Sequence, residues 1–175
     1  DADMRLPRLH KIFGLDQGMG LAATLAYGYT DGRLQNTQSV GLKVMTSGTP
    51  PPNPAELLTT PNLELMIKEL AGVANVVVID CPPVLMVADA LILAPMVDGV
   101  LLVLKAGQSE SNSTKRAIEA LRQVNARLVG VVLNAVSEHK ERYYDYYRST
   151  ESGTLKKFIK QLWARRKGHV EGASK

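Results

Sequence analysis

The sequence has few aromatic residues, almost no cysteine and no long apolar run. Aromatic side chains make up 5% of its 175 residues, so a buried core has to come from aliphatic residues and methionine. Cys81 is the single cysteine, which excludes an internal disulfide and fits a reducing compartment. No apolar run approaches the roughly 20 residues that cross a bilayer, and no segment has the pattern of a signal peptide. We therefore expect one soluble domain, or a large part of one.

Several kinds of functional site are also missing. The three histidines are scattered along the chain, so no zinc site is indicated, and there is no Gly-x-Ser-x-Gly motif of a hydrolase. From Leu155 to the end the chain has seven Lys or Arg and one Glu, a net charge of +6. This leaves −2 for the rest of a chain whose total is +4. The body therefore lacks the basic surface that binds nucleic acid.

Apolar runs alternate with helical patterns along the chain. The segment "NPAELL" predicts a helix start, with Asn53 as N-cap, Pro54 as first residue and Glu56 completing a capping box. A second amphipathic pattern covers residues 113–124. The apolar runs have the length and β-branched content of buried parallel strands, at residues 42–48, 75–80, 99–106 and 126–134. This alternation predicts an α/β fold with a parallel sheet flanked by helices.

Three acids stand at the ends of predicted strands. Asp80 closes the run "NVVVID", and an acid at the carboxyl end of a parallel strand lies where α/β proteins bind ligands. It could equally cap a following helix. Asp1 and Asp3 alternate by two, so on an extended segment they point to the same side. A divalent cation, or a proton to be abstracted, would explain three such carboxylates together; taken alone, Asp1 and Asp3 could be solvated acids.

Four of the six tyrosines lie within "RYYDYY", among charged neighbours and outside any apolar run. We expect residues 137–153 to form an exposed loop or linker. A basic amphipathic helix is predicted over 154–175, with an apolar stripe that includes Trp163. The stripe could lie on the inner membrane surface or pack back on the domain.

In combination, these features resemble the bacterial tyrosine kinases of the polysaccharide co-polymerase system, known as BY-kinases. "DADMRLPRLHKIFGL" resembles their second acidic Walker motif, and "SGTPPPNPAELL" resembles their proline-rich helix start. The long run that begins "VVVIDCPP" resembles their Walker B strand, and "RYYDYY" their C-terminal tyrosine cluster. The resemblance implies an ATP-dependent protein-tyrosine autokinase of P-loop type that uses Mg²⁺ and regulates capsular or exopolysaccharide chain length and export.

The resemblance also implies roles for individual residues. Asp1 would take the tyrosine proton, while Asp3 and Asp80 would order Mg²⁺ and its waters. Asn134 resembles the asparagine that contacts adenine in related ATPases, although it could be an ordinary turn residue. Arg5 could pair with the acids or with phosphate. The phosphate acceptors would be the clustered tyrosines of neighbouring protomers in a ring: Tyr143, Tyr144, Tyr146 and Tyr147.

The Gly-rich phosphate loop that this family needs has no counterpart in the sequence. "GLKV" and "NSTK" lack both the glycine spacing and the Lys-Ser/Thr order. The chain also opens on Asp1 without a methionine. We therefore expect a piece of a longer protein, without the first strand and phosphate loop, in which residues 1–136 are a partial ATP-binding domain. We also expect the 175 residues to be inactive alone.

The resemblance implies partners and a location as well. These are other copies of the protein, a membrane co-polymerase or adaptor segment, and the cytoplasmic face of the inner membrane. Two other functions stay open. One is an ATPase of the partition or septum-site type, which would need neither "PPNPAELL" nor the tyrosine cluster. The other is a non-catalytic regulatory module whose tail is only a phosphorylation target.

Overall fold

The computed structural model describes residues 1–28 and 33–136. Asp1–Val132 form one compact unit, and the fold described here is that of this unit. Of the residues that follow it, only 133–136 are described. The predicted tyrosine segment (137–153) and tail helix (154–175) lie outside the described residues.

The described residues form six α-helices, one short 3-10 helix and four strands. In chain order these are α1 (Leu9–Phe13), α2 (Leu21–Tyr27), β1 (Leu34–Asn36), β2 (Lys43–Met45), α3 (Pro54–Leu58), α4 (Pro61–Val73), α5 (Asp89–Leu93), the 3-10 helix (Ala94–Met96), β3 (Val100–Lys105), α6 (Ser111–Gln123) and β4 (Leu128–Asn134).

Two small sheets are present in the described part of the chain. Strands β1 and β2 pair in antiparallel fashion, with Leu34 opposite Met45. Strands β3 and β4 are neighbours in a parallel sheet, and α6 connects them, as a parallel crossover requires. The α/β class is therefore confirmed. Strand β2 lies within the predicted strand 42–48, but the prediction of parallel pairing is wrong for it, because β2 pairs with β1 in antiparallel fashion. Strand β1 was not predicted, because a strand of three residues is too short to show a period-two pattern.

The segment 75–80, predicted as a strand, belongs to neither sheet of the described residues. Its carboxyl end is held, because the Ala2 amide donates to the Asp80 carbonyl at 2.8 Å. Further back, Val76 and Val78 are 64% and 86% exposed. A strand joins a sheet through hydrogen bonds to a partner along its length. For this segment the described backbone bond to another strand-like segment is the one at Asp80. The strand prediction is thus wrong for this structure.

The predicted helix start at Asn53 is correct in position and wrong in its bonding. Helix α3 begins at Pro54 with Asn53 as N-cap, but no side-chain cap bond forms. Instead the Asn53 side-chain amide donates to the Glu56 carboxylate at 3.2 Å. The two side chains of the expected capping box therefore satisfy each other instead of the helix backbone.

The first residues of the chain lie between two parts of the fold. The Asp1 nitrogen donates to the Met45 carbonyl at 2.9 Å, and the next amide, that of Ala2, donates to Asp80. Ala2 and Met4 are buried in the core. Helices α2, α3 and α4 surround them, contributing core residues that include Leu21, Leu25, Leu58, Leu63 and Met66. Ala2 and Met4 thus lie inside, while Asp1 and Asp3 stay half-buried at the surface.

A close backbone contact seats α2 against the loop that follows β2. The Leu21 and Ala22 amides donate to the Thr46 and Ser47 carbonyls at 2.8 and 2.9 Å. Gly20, just before α2, lies so near this loop that a Cβ there would overlap the Thr46 carbonyl oxygen. The same Cβ would stand 2.5 Å from the Gly48 nitrogen. Only glycine fits at this position.

We predict that Gly20→Ala lowers the free energy of unfolding by about 1–3 kcal/mol, because backbone on both sides has to move. Urea denaturation followed by circular dichroism measures the change. Gly72→Ala is the matched control, since its Cβ meets nothing within 4 Å and alanine favours a helix by about 0.5 kcal/mol. Equal stability of the two variants would contradict the close contact.

Candidate active site

Asp1 is fixed by backbone amides. Its Oδ2 accepts hydrogen bonds from the Arg8 and Leu9 amides at 3.1 and 3.0 Å, and its Oδ1 accepts one from the Asp3 amide at 3.2 Å. The carboxylate therefore holds the start of α1, which has no other side-chain cap. Each carboxylate oxygen has two lone pairs, so capacity for a further proton or ligand remains. The reading of Asp1 as a freely solvated acid is wrong.

Asp3 is held in a similar way through one oxygen. Its Oδ1 accepts from the Arg5 amide at 3.1 Å and from the Leu6 amide at 2.9 Å. Such short-range bonds from an Asp to the following amides fix a turn. Within the described residues, Oδ2 accepts no hydrogen bond. Asp3 therefore offers an oriented carboxylate with one oxygen unused.

Asp80 is exposed, and its carboxylate makes no hydrogen bond within the described residues. The alternative role as a helix cap is not observed, because α5 has no side-chain cap. Its backbone carbonyl is bonded to Ala2, the residue between the two other acids. The structure thus brings Asp80 next to the segment that carries Asp1 and Asp3.

The thiol of Cys81, next to Asp80, is affected by the negative charge of the nearby carboxylates. Burial first, and the Asp80 carboxylate second, raise the pKa of Cys81 to about 11. The positive charge of the Asp1 nitrogen opposes this rise, and the carboxylates of Asp89 and Asp3 add smaller contributions to it. Asp80 and Asp89, together with Asp3 from the start of the chain, therefore act on one thiol. This half-buried, protonated cysteine is unsuited to nucleophilic chemistry.

The sequence left two kinds of partner open for Arg5, the acids of the site and phosphate. In the structure Arg5 bonds Asp89, an acid that the sequence patterns did not indicate. Its Nε donates to Asp89 Oδ2 and its Nη2 to Asp89 Oδ1, both at 3.0 Å. This bonding raises the pKa of Arg5 above its usual value. The signal for Asp89 was available, because an acid inside the apolar run "VADALILA" is expected to be paired. A contact of Arg5 with phosphate stays a prediction.

Asn134, predicted to contact adenine, ends β4. Its Oδ1 accepts from the Ala135 amide at 2.8 Å, and Ala135 has a left-handed φ of 55°. The side chain thus supports a local turn, which matches the alternative reading; the adenine contact stays a prediction. The four acceptor tyrosines lie outside the described residues.

The acids fit Mg²⁺ better than a metal held by protein groups alone. Across residues 1–28 and 33–136, no group of three or more His, Cys, Asp or Glu side chains is arranged to hold a metal ion. Mg²⁺ usually keeps several waters and takes one or two carboxylates together with substrate phosphates. Asp3 and Asp80 have oxygens free of hydrogen bonds in the described part, and their role as Mg²⁺ ligands stays a prediction.

Comparison with known proteins gives the family. No family model matches the sequence. The tyrosine-protein kinase YwqD of Bacillus subtilis is 35% identical over 153 residues, which are 87% of this chain and 65% of that protein. The crystal structure of the chimerical protein CapA2B2 superposes with a TM-score of 0.75 at 34% identity, covering 79% of this chain and 62% of the other. The chain belongs to the bacterial tyrosine kinases.

The kinase domain of the Escherichia coli tyrosine kinase ETK is also similar, with a TM-score of 0.76 and 29% identity over 79% of this chain and 55% of that one. The chain thus spans about two thirds or less of the relatives it matches. In the described residues of this BY-kinase chain, no helix is both long and apolar enough to cross a membrane.

We predict that Cys81 in the folded chain reacts with a thiol reagent at pH 8 about 100-fold more slowly than an ordinary cysteine of pKa 9.0, because its pKa is about 11. The same chain in urea is the control, since it has no other cysteine. Because the folded state favours the protonated thiol, the contribution of Cys81 to the free energy of unfolding is fully present below about pH 9 and is lost as the pH rises towards 11. A folded-state rate profile with its midpoint near pH 9 would contradict the burial.

Proposed function

We propose that this chain carries the acidic part of the active site of an ATP-dependent protein-tyrosine autokinase that regulates capsular or exopolysaccharide chain length and export. The observation that carries the proposal is the pair Asp1 and Asp3, held by backbone amides and joined to Asp80 through Ala2. The relative YwqD is named a tyrosine-protein kinase, which supports this chemistry.

In this proposal Asp1 is the general base. Its carboxylate takes the phenolic proton of the incoming tyrosine, and the phenol oxygen becomes the nucleophile. Three amide bonds fix the orientation of the carboxylate, so little reorganisation is needed when the proton moves. Mg²⁺ held by Asp3 and Asp80 would supply charge neutralisation at the donor phosphates.

The chain does not supply the phosphate cradle, since its sequence has no Gly-Lys-Ser/Thr loop. We propose that another segment supplies a strand and this loop, and that the chain by itself is inactive. Two observations support this. The chain covers 65% of YwqD, and apolar side chains stay exposed on the segment 75–80 and on β3, including Val78, Leu101 and Val103.

The acceptors in this proposal are the clustered tyrosines of neighbouring protomers in a ring. An exposed phenol can reach another subunit, whereas a buried one cannot. Each phosphate adds up to about −2 charge, so several in a row would repel neighbouring tails and favour disassembly of the ring.

A membrane co-polymerase or adaptor segment would be the partner, and the cytoplasmic face of the inner membrane the location, with the basic tail as a further contact. The CapA2B2 relative is a chimeric protein, which accords with a kinase domain that works joined to a second polypeptide.

A chimera tests the site. We would join the part of YwqD that precedes the matched region to this chain and measure autophosphorylation with labelled ATP. We predict that Asp1→Asn and Asp80→Asn each lower the rate by about 100-fold or more, the usual contribution of a positioned base or charge. Asp98→Asn, at an exposed acid, is the matched control. Near-normal rates in folded Asp1→Asn and Asp80→Asn would mean that these acids are not the site.

The acceptors are tested in trans. Incubated with active YwqD and ATP, this chain should gain phosphate on Tyr143, Tyr144, Tyr146 and Tyr147, because that cluster carries four phenols among charged residues. Mass spectrometry locates the phosphates. Replacing the four by Phe should remove most of the label, while Tyr27→Phe keeps it. Phosphate found mainly on Tyr27 and Tyr29 would show that the cluster is not the substrate.

A further inference from the structure

Asp89 is a buried carboxylate that the proposed chemistry does not use. It is the first residue of α5, and its side chain is 0% exposed. Both of its oxygens accept from one guanidinium, that of Arg5, at 3.0 Å. Such a two-pronged bond is the strongest arrangement between arginine and a carboxylate. It joins positions 84 residues apart in the chain.

Arg5 lies in the middle of the loop that the two acids organise. Its own amide donates to Asp3, and the next amide, that of Leu6, does the same. Arg8 and Leu9, a few residues on, donate to Asp1. The backbone of Arg5 is therefore tied to one acid of the site, while its side chain is tied to Asp89 at the edge of the core.

Helix α5 is also connected to the third acid. The chain runs from Asp80 to Asp89 in nine residues that include the buried Pro82, so the loop after Asp80 ends at Asp89. One ion pair thus links the loop of Asp1 and Asp3 to the loop of Asp80. In this pair Asp89 is buried while the Arg5 side chain is 38% exposed. Removing a charge from water offsets much of what an ion pair contributes to net stability, so we assign this pair to the selection of one loop conformation.

We propose that Asp89 is a positioning residue. Through Arg5 it fixes the loop of residues 3–9, whose amides orient the carboxylates of Asp1 and Asp3, relative to Asp80. Asp89 itself is enclosed and touches neither phenol nor phosphate. The role in catalysis rests on the proposed kinase function, whereas the control of loop geometry does not.

Amide hydrogen exchange in the 175-residue chain, followed by NMR without nucleotide, tests the geometry. In Asp89→Asn, the Leu6, Arg8 and Leu9 amides should exchange roughly tenfold faster or more, because the loop opens locally. Amides of α4 should stay within about twofold of the wild type. Asp98→Asn, an exposed acid-to-amide change, should alter neither group. If Asp89→Asn does not fold, the same exchange measurements on Arg5→Lys test the proposal, because lysine keeps the positive charge and loses the two paired donors.

Unchanged exchange at the three loop amides would overturn the proposal. So would acceleration of the α4 amides by the same factor, because Asp89 would then be a general stabiliser. In the active YwqD chimera, Asp89→Asn should lower kcat and leave the KM for ATP within about twofold, since no substrate contact is removed. A chimera that is inactive with all three acids intact would count against the kinase function, and the exchange result would stand by itself.

Discussion

The hydrogen bond from the Ala2 amide to the Asp80 carbonyl holds together the two parts of the chain on which the site depends. It places the first acidic segment beside the end of the apolar run 75–80, while the Asp1 nitrogen reaches Met45 on the other side. With its backbone bonded on both sides, the segment sends alternate side chains to opposite faces. Ala2 and Met4 enter the core, and burying Met4 keeps the acids outside.

Asp1 and Asp3 have a structural role in addition to their proposed chemical one. Each of Asp1 and Asp3 accepts two or more backbone amide bonds, which makes it part of the loop structure as well as a candidate for chemistry. A carboxylate oriented in this way loses little freedom when it binds a ligand, and preorganisation of this kind is the usual source of electrostatic catalysis. The exposed Asp80 carboxylate has no such support from the described residues, so a bound cation would have the greatest effect on its orientation.

The apolar surface and the missing phosphate loop lead to the same interpretation. Val76 and Val78 are largely exposed, although a run of this composition is typical of a strand buried on both faces. The relatives that match the chain are longer, and the match covers 65% of YwqD. The proposal that another segment supplies a partner strand and the phosphate loop accounts for both facts, and for acids that are present without a cradle for phosphate.

The sequence by itself determined the α/β class and the family, because alternation of apolar runs and motif spacing are local properties. It also located the starts of α3 and α6 within two residues. Tertiary structure alone decided that Arg5 pairs with Asp89, that Asn53 bonds Glu56 instead of the backbone, and that residues 75–80 join no ladder of the described part. The Arg5–Asp89 pair depends on which groups meet across the fold: 84 residues separate the two, and no local pattern in either segment specifies the other.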